Sequence, residues 1–153
     1  MKVIAFNGSA RKQGNTAILI NHVFSELEKE GIETELVELA GKKIQGCTAC
    51  YKCFETKDRK CAVKNEGSDG TCGIYRNGGM FKRKAGAAVV AVRRGGAIHA
   101  FDSINHFFHI NQMIVPGSSY WNVGIGREIG DVDKDEEGIR NMKNLGENGC
   151  LRK

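Results

Sequence analysis

Residues 1–16 read MKVIAFNGSARKQGNT, and this stretch decides the fold class. The apolar run at residues 2–6 has the composition of a buried parallel strand, and a polar loop with two glycines follows it. Apolar residues then recur at helical spacing from Thr16 to Glu30, and Gly31 is placed to end the helix. Residues 33–39 alternate as an edge strand does. Strand, loop, helix and strand form a βαβ unit, so the chain opens as an α/β protein with a parallel sheet.

The second half of the chain continues the alternation of strands and helices. Residues 85–92 (AGAAVVAV) are small and apolar, which predicts a central strand, and residues 97–113 have a helical pattern. A short strand is predicted at 113–115, stopped by Pro116, and a polar helix at 133–146. Together these elements predict one domain with a doubly wound parallel sheet between two layers of helices.

The middle of the chain breaks this pattern. Residues 64–80 (KNEGSDGTCGIYRNGGM) are rich in glycine and contain no apolar run longer than Ile74-Tyr75. A doubly wound sheet needs a strand and a helix there, and the segment predicts neither. The chain is therefore expected to lack, or the sequence as given to omit, the central third strand and the helix after it.

Composition bounds the class of protein. The 153 residues suffice for one domain, and 41% apolar with 27% charged residues is typical of a soluble globular chain. Because no 18 apolar residues run together and no signal peptide opens the chain, we expect a cytoplasmic protein without a transmembrane helix. The net charge of +5 suits anionic small molecules, and the basic residues are scattered without interleaved aromatics, which argues against nucleic-acid binding.

The strongest chemical signal is a run of four cysteines, Cys47-x-x-Cys50-x-x-Cys53-x7-Cys61. Three thiolates at this spacing can converge on one face of a metal cluster, and the fourth closes the site. The spacing favours iron–sulfur ligation over zinc, whose structural sites usually use two separated pairs. Zinc binding, redox thiols and cysteines without a metal remain alternatives, and disulfides are disfavoured in a cytosolic chain.

A second signal is Gly8-Ser9-x-Arg11-x-x-Gly14-Asn15-Thr16, between the first strand and the first helix. Backbone N–H groups at a helix N-terminus, joined by Ser, Asn and Thr side chains and one Arg, form a phosphate cradle. The loop has neither the Lys-Ser/Thr of a triphosphatase loop nor the third glycine of a dinucleotide fingerprint. It therefore suits a single terminal phosphate such as that of FMN, the alternative being an ordinary turn capped by Thr16.

Three further groups are weaker signals. Arg93-Arg94-Gly95-Gly96 follows a predicted strand, where glycines let a planar ring approach the backbone and an Arg can stabilise a reduced flavin. Tyr120-Trp121 belongs either to the core or to a subunit interface. His99, His106 and His109 fall on one predicted helix and are more typical of surface or half-buried histidines than of a metal site.

These segments together resemble the NADPH-dependent FMN reductase superfamily. Residues 1–16, the cysteine run and Val92–Gly96 carry the resemblance, and residues 113–118 and 123–126 make it similar to the iron–sulfur flavoprotein branch. Membership implies a single flavodoxin-like domain over residues 1–153, with its cysteine-rich loop at 47–61. It also implies FMN, a [4Fe–4S] cluster and homodimers or homotetramers.

The resemblance also implies roles for individual residues. The FMN phosphate would be held by Ser9, Arg11, Asn15 and Thr16, in the loop that Gly14 closes. The flavin ring would be bordered by Arg93, Gly95 and Gly96, and the cluster ligated by Cys47, Cys50, Cys53 and Cys61. The chain departs from the family between Lys64 and Asn77, where a strand, a flavin-contacting loop and a helix are missing.

The expected function is that of a cytoplasmic oxidoreductase that moves electrons through FMN and a cluster. Its partner would be a carrier such as ferredoxin, or NAD(P)H, with neither nucleic acid nor membrane involved. One alternative is a cluster-free NAD(P)H-dependent FMN or quinone reductase, and another is a non-catalytic zinc-binding module. No catalytic residue is predicted.

Overall fold

The first βαβ unit is confirmed by the computed structural model, which describes residues 1–56, 58, 60–63 and 79–150. Strands β1 (Lys2–Asn7) and β2 (Glu33–Glu38) pair in parallel, with Lys2 opposite Glu33 and Asn7 opposite Glu38. Helix α1 (Asn15–Lys29) connects them. Gly31 follows α1 with φ of 71°, a left-handed conformation that glycine adopts without steric cost and that turns the chain into β2.

The second half forms a shorter parallel ladder than the sequence predicts. Strand β3 is limited to Val90–Val92, and it pairs with β4 (Val123–Ile125), a strand that the sequence analysis missed. Ala85 and Ile114 form only an isolated parallel bridge. The predicted strand over 85–92 is therefore wrong in length, since β4 offers a partner of three residues only.

The remaining helices surround these strands. They are α2 (Lys52–Thr56), α3 (Ala97–Ile110), a 3₁₀ turn (Asp131–Lys134) and α4 (Glu136–Gly149). The last helix begins three residues later than predicted because Asp135 is its N-cap: the Asp135 carboxylate accepts a hydrogen bond from the Gly138 N–H at 3.0 Å. Among the described helices, none combines the length and the apolar character needed to cross a membrane.

The core is built around α1. Its Ile20 and Phe24 lie in one buried cluster, against which Val3 and Ala5 of β1 pack. Leu19, fully buried, lies in a second cluster with Val132 and Met142. Val89 packs against both clusters. Helix α1 therefore holds the two halves of the molecule together.

The opposite face of β1 is bare. Ile4 and Phe6, which alternate with Val3 and Ala5, are 46% and 59% exposed. Within residues 1–56, 58, 60–63 and 79–150 the strands form two separate two-stranded sheets, β1–β2 and β3–β4. Residues 64–78, most of the segment that the sequence predicts to lack a strand and a helix, lie outside the described residues. The α/β class with parallel strands is confirmed.

Candidate functional site

The loop that leaves β1 is shaped by a buried amide. Asn7 is fully buried, and its Nδ2 donates a hydrogen bond to Glu38 Oε2 at 2.9 Å. The Asn7 Oδ1 accepts one from the Ser9 backbone N–H at 3.0 Å. Because the Glu38 carboxylate can only accept, it fixes which way the Asn7 amide points. The pair therefore sets the path of the chain as it enters the loop over residues 8–14, which we call the phosphate loop.

The phosphate loop closes tightly at Gly14. This residue is buried, and a Cβ added to it would lie 3.1 Å from the Arg11 Cβ and 3.2 Å from the Arg11 carbonyl oxygen. Gly14 is the N-cap of α1, where no side chain caps the helix and no acidic residue occupies the first turn. A helix N-terminus carries a partial positive charge and N–H groups without intrahelical partners. The tight turn thus leads into a helix end without a side-chain cap, which has the charge and the N–H donors that an anion site needs.

The side chains predicted to bind phosphate divide into two groups. Ser9 and Thr16 are partly buried and Arg11 is exposed, and the Ser9 hydroxyl oxygen accepts the Arg11 backbone N–H at 3.2 Å. The Asn15 side chain is engaged elsewhere, since its Nδ2 donates to the Glu128 carbonyl oxygen and its Oδ1 accepts the Gly130 N–H, both at 2.9 Å. Asn15 therefore ties the first turn of α1 to residues 126–131.

Residues 126–131 form a second loop beside the N-terminus of α1. Asp131 Oδ2 accepts the backbone N–H of Glu128 at 2.8 Å, and Lys134 donates to its Oδ1 at 2.9 Å. The Lys134 hydrogen bond and then the Glu128 N–H lower the pKa of Asp131. Gly126 leaves space for the Asn15 amide, whose Nδ2 would be 2.9 Å from a Cβ at this position. This loop is therefore fixed by its own hydrogen bonds and by Asn15.

The second predicted flavin contact follows β3. Arg93, Gly95 and Gly96 are exposed, and no described atom lies within 4 Å of a Cβ added at either glycine. Gly96 is the N-cap of α3 and has φ of 87°. The structure therefore places open space beside this turn, at the start of a 14-residue helix.

Of the four cysteines of the predicted cluster, Cys47 and Cys50 precede the short helix α2, Cys53 lies on it and Cys61 follows it. Cys47 and Cys50 are exposed, whereas Cys53 and Cys61 are partly buried. Within the described part of the chain, no three His, Cys, Asp or Glu side chains are placed together to hold a metal ion. The four cysteines are therefore close in sequence, but in the described residues their side chains do not converge on one point. The chemistry of the donor set, four thiols, fits an iron–sulfur cluster.

Cys50 is surrounded by groups that favour its thiolate. A hydrogen bond from the Lys52 backbone N–H, and then one from the Thr48 side chain, lower the pKa of Cys50 and favour its thiolate. Its neighbours Ala49 and Tyr51 have φ of 53° and 58°, the left-handed region that residues with a Cβ adopt only at a steric cost. The backbone on both sides of Cys50 is therefore held in an uncommon conformation.

Sequence reasoning missed Asn7 and Glu38. A polar residue at the end of the apolar run 2–6 was the available signal for Asn7. Glu38 gives no local signal, because it reaches the site through pairing between β1 and β2, 31 residues away in the chain.

Comparison with known proteins finds similar flavin proteins. The sequence profile of the NADPH-dependent FMN reductase family matches residues 1–69. An iron–sulfur flavoprotein of Methanocaldococcus jannaschii is 32% identical, in an alignment covering 95% of this chain and 94% of the relative. A second iron–sulfur flavoprotein from that organism is 26% identical, in an alignment covering 94% of this chain and 92% of the relative. An iron–sulfur flavoprotein of Methanosarcina thermophila is 25% identical, in an alignment covering 98% of this chain and 94% of the relative. No solved structure matches the chain at a significant level.

The alignment with the first relative is longer than this chain. It spans 183 positions, 30 more than the 153 residues of this chain, so at least 30 positions of the relative face no residue here. These positions have no counterpart in this chain. Identity of this level over nearly the whole of both chains shows that the protein belongs to the iron–sulfur flavoprotein family, a branch of flavin redox proteins in the NADPH-dependent FMN reductase superfamily.

Proposed function

We propose that this protein transfers electrons between a carrier such as a ferredoxin, or NAD(P)H, and an acceptor, using FMN and a [4Fe–4S] cluster. The observation that carries the proposal is the uncapped N-terminus of α1 behind the tight turn at Gly14. It offers an anion site at the end of a strand, where α/β proteins bind phosphorylated cofactors.

The phosphate of FMN would be bound by groups of the phosphate loop and the first turn of α1. Ser9 and Thr16 supply hydroxyls, and Arg11 supplies a guanidinium that is exposed and able to turn toward the anion. Asn15 contributes its backbone N–H, while its side chain holds the loop at 126–131 in place. Behind them, Asn7 fixes the Ser9 N–H.

The flavin ring would lie along the turn after β3. Gly95 and Gly96 lack side chains that would fill the space there, so a planar ring can approach the backbone. Arg93 brings a positive charge to the same turn, which favours an electron-rich ring.

The cluster would be held by Cys47, Cys50, Cys53 and Cys61. The lowered pKa of Cys50 prepares one thiolate before the metal binds. When bound, FMN exchanges electrons singly or in pairs and the cluster exchanges them one at a time. The chain would assemble as a homodimer or homotetramer, as its resemblance to the family implies.

The first experiment is an ultraviolet–visible spectrum of anaerobically purified protein, with iron, acid-labile sulfide and FMN assayed on the same sample. Flavin bands above a broad sulfur-to-iron absorption, both bleached by a reductant, are expected. Cys50→Ser should lower the iron and sulfide content and leave FMN in place, whereas Cys150→Ser, a buried cysteine outside the motif, should change neither. Zinc without sulfide would replace the proposal by a metal-binding module. Unchanged NAD(P)H-driven flavin reduction in Cys50→Ser would make the protein a cluster-free reductase.

A matched pair of glycine variants tests the phosphate site. Gly14→Ala puts a methyl group 3.1 Å from the Arg11 Cβ and must shift the loop, whereas a Cβ at Gly149, at the end of α4, would have its nearest contact at 3.4 Å, an ordinary distance. Gly14→Ala should weaken FMN binding at least tenfold and riboflavin binding much less, since riboflavin has no phosphate. Gly149→Ala should bind both as the parent does. Equal losses of FMN and riboflavin affinity in Gly14→Ala would show that the loop does not hold the phosphate.

A further inference from the structure

Glu38 lies at the end of β2, next to the residue from which the chain enters the phosphate loop, and it belongs to none of the sequence motifs. Its Oε2 accepts a hydrogen bond from Asn7 Nδ2 at 2.9 Å, while its Oε1 is enclosed with no hydrogen-bond partner among the described residues. The other carboxylates of this strand, Glu33 and Glu35, are exposed and pair with Lys2 at 3.0 and 2.8 Å. An enclosed acceptor without a partner costs free energy, so the placement of Glu38 calls for a reason other than stability.

Asn7 connects Glu38 to the phosphate loop. Both polar groups of its amide are engaged, because Nδ2 donates to Glu38 and Oδ1 accepts the Ser9 backbone N–H at 3.0 Å. The Leu39 N–H donates to the Asn7 carbonyl oxygen at 3.0 Å, so the end of β2 holds the Asn7 backbone as well. Asn7 is fully buried, which strengthens these hydrogen bonds by excluding water. The position of Ser9 is therefore fixed from β2.

The Ser9 hydroxyl is the group through which this fixed position reaches a ligand. Its oxygen accepts the Arg11 backbone N–H at 3.2 Å, whereas no acceptor for its hydrogen lies among the described residues. A hydroxyl has one hydrogen to donate besides the lone pairs with which it accepts. That hydrogen is free to donate to an anion bound at the phosphate loop, in a charge-assisted hydrogen bond that needs a well-placed donor.

We propose that Glu38 and Asn7 are positioning residues for the FMN phosphate. They hold Ser9 so that its hydroxyl donates to the phosphate, and they thereby make the site selective for FMN over riboflavin, which has no phosphate. This inference rests on the proposed function, because it takes FMN as the ligand. It assigns a role to a residue 31 positions away from Asn7, which acts on the ligand only through Asn7 and Ser9.

The test measures the dissociation constants of FMN and riboflavin for the full-length protein dialysed free of flavin, from the quenching of flavin fluorescence. The constant for riboflavin divided by that for FMN is the phosphate preference. Glu38→Leu removes the acceptor for Asn7 and should lower the preference by about tenfold or more, the effect of losing one hydrogen bond to a charged group. Glu38→Gln keeps a carbonyl oxygen that accepts from Asn7 and should retain most of the preference. Glu33→Ala, at an exposed position of the same strand, should leave the preference unchanged.

A double-variant cycle separates positioning from a general loss of structure. Ser9→Ala removes the hydroxyl and keeps the backbone N–H, so it should lower the preference as much as Glu38→Leu does, and the two changes together should lower it no further. Additive losses, or a Glu38→Leu variant with the preference of the parent, would overturn the inference and leave the phosphate site standing. Equal affinity of the parent protein for FMN and riboflavin would overturn the phosphate site and this inference with it. Should Glu38→Leu fold poorly by circular dichroism, Asn7→Ala breaks the same connection and should show the same lowered preference.

Discussion

Replacing Asn7 by Ala should cost about 2.5–4 kcal/mol of unfolding free energy, the sum of the two hydrogen bonds of its side chain. The bond from Nδ2 to Glu38, at 2.9 Å, has a charged acceptor and contributes about 1.5–3 kcal/mol. The bond from the Ser9 N–H, at 3.0 Å, is neutral and contributes about 1 kcal/mol. Because Glu38 Oε1 is already enclosed without a partner among the described residues, the substitution leaves the carboxylate with neither oxygen satisfied by a side chain.

Urea unfolding followed by circular dichroism measures this effect, and a double variant identifies its cause. Glu38→Leu added to Asn7→Ala removes the stranded charge, so the double variant should recover part of the loss. Glu33→Ala, on the same strand but with a side chain 67% exposed, should change the stability by less than about 0.5 kcal/mol. A loss below about 1 kcal/mol in Asn7→Ala, or a double variant no more stable than the single one, would refute the reasoning.

Three other predictions concern packing, capping and pH. Gly146→Ala puts a Cβ 2.7 Å from the Val23 carbonyl oxygen, so urea unfolding should show a loss of about 1–3 kcal/mol, whereas Gly149→Ala, with its nearest contact at 3.4 Å, should show none. Asp135→Ala removes the N-cap of α4 and should lower stability by about 1–2 kcal/mol in the same assay; an unchanged midpoint would mean that the cap is not needed. The pKa of Asp131 is lowered by the Lys134 hydrogen bond, so its contribution is present above its ordinary value of 3.8 and is lost as the pH falls through the lowered pKa. The Tm difference between the protein and Asp131→Asn should therefore disappear in acid, and a difference that persists there would contradict this role.

The first βαβ unit could be predicted because each of its elements has a local signal. The apolar run of β1, the helical period of α1 and the turn at Gly31 are all complete within the residues that form them. Strand β3 was predicted too long because its length depends on β4, about thirty residues away, and a local pattern does not show the length of a partner.

In the phosphate loop, too, the features with a local signal could be predicted and those that depend on distant residues could not. Its glycines and hydroxyl groups predict an anion site, because they lie within a few residues of one another in the chain. The bonds of Asn15 to Glu128 and Gly130 join positions 113 and 115 residues apart, so the sequence offers Asn15 only as one more polar donor. The start of α4 was misplaced for a related reason: several acidic residues precede it, and only Asp135 caps it.

The bare face of β1 has a consequence for handling the protein. An apolar strand whose second edge meets no other strand among the described residues is a template for strand addition between chains. Lys2, paired with Glu33 and Glu35 at 3.0 and 2.8 Å, places charge at one end of β1 only, while Ile4 and Phe6 continue toward the other. We therefore expect precipitation during concentration to begin at this strand. Changing Ile4 to Lys should keep the protein in solution without touching either of the cofactor loops.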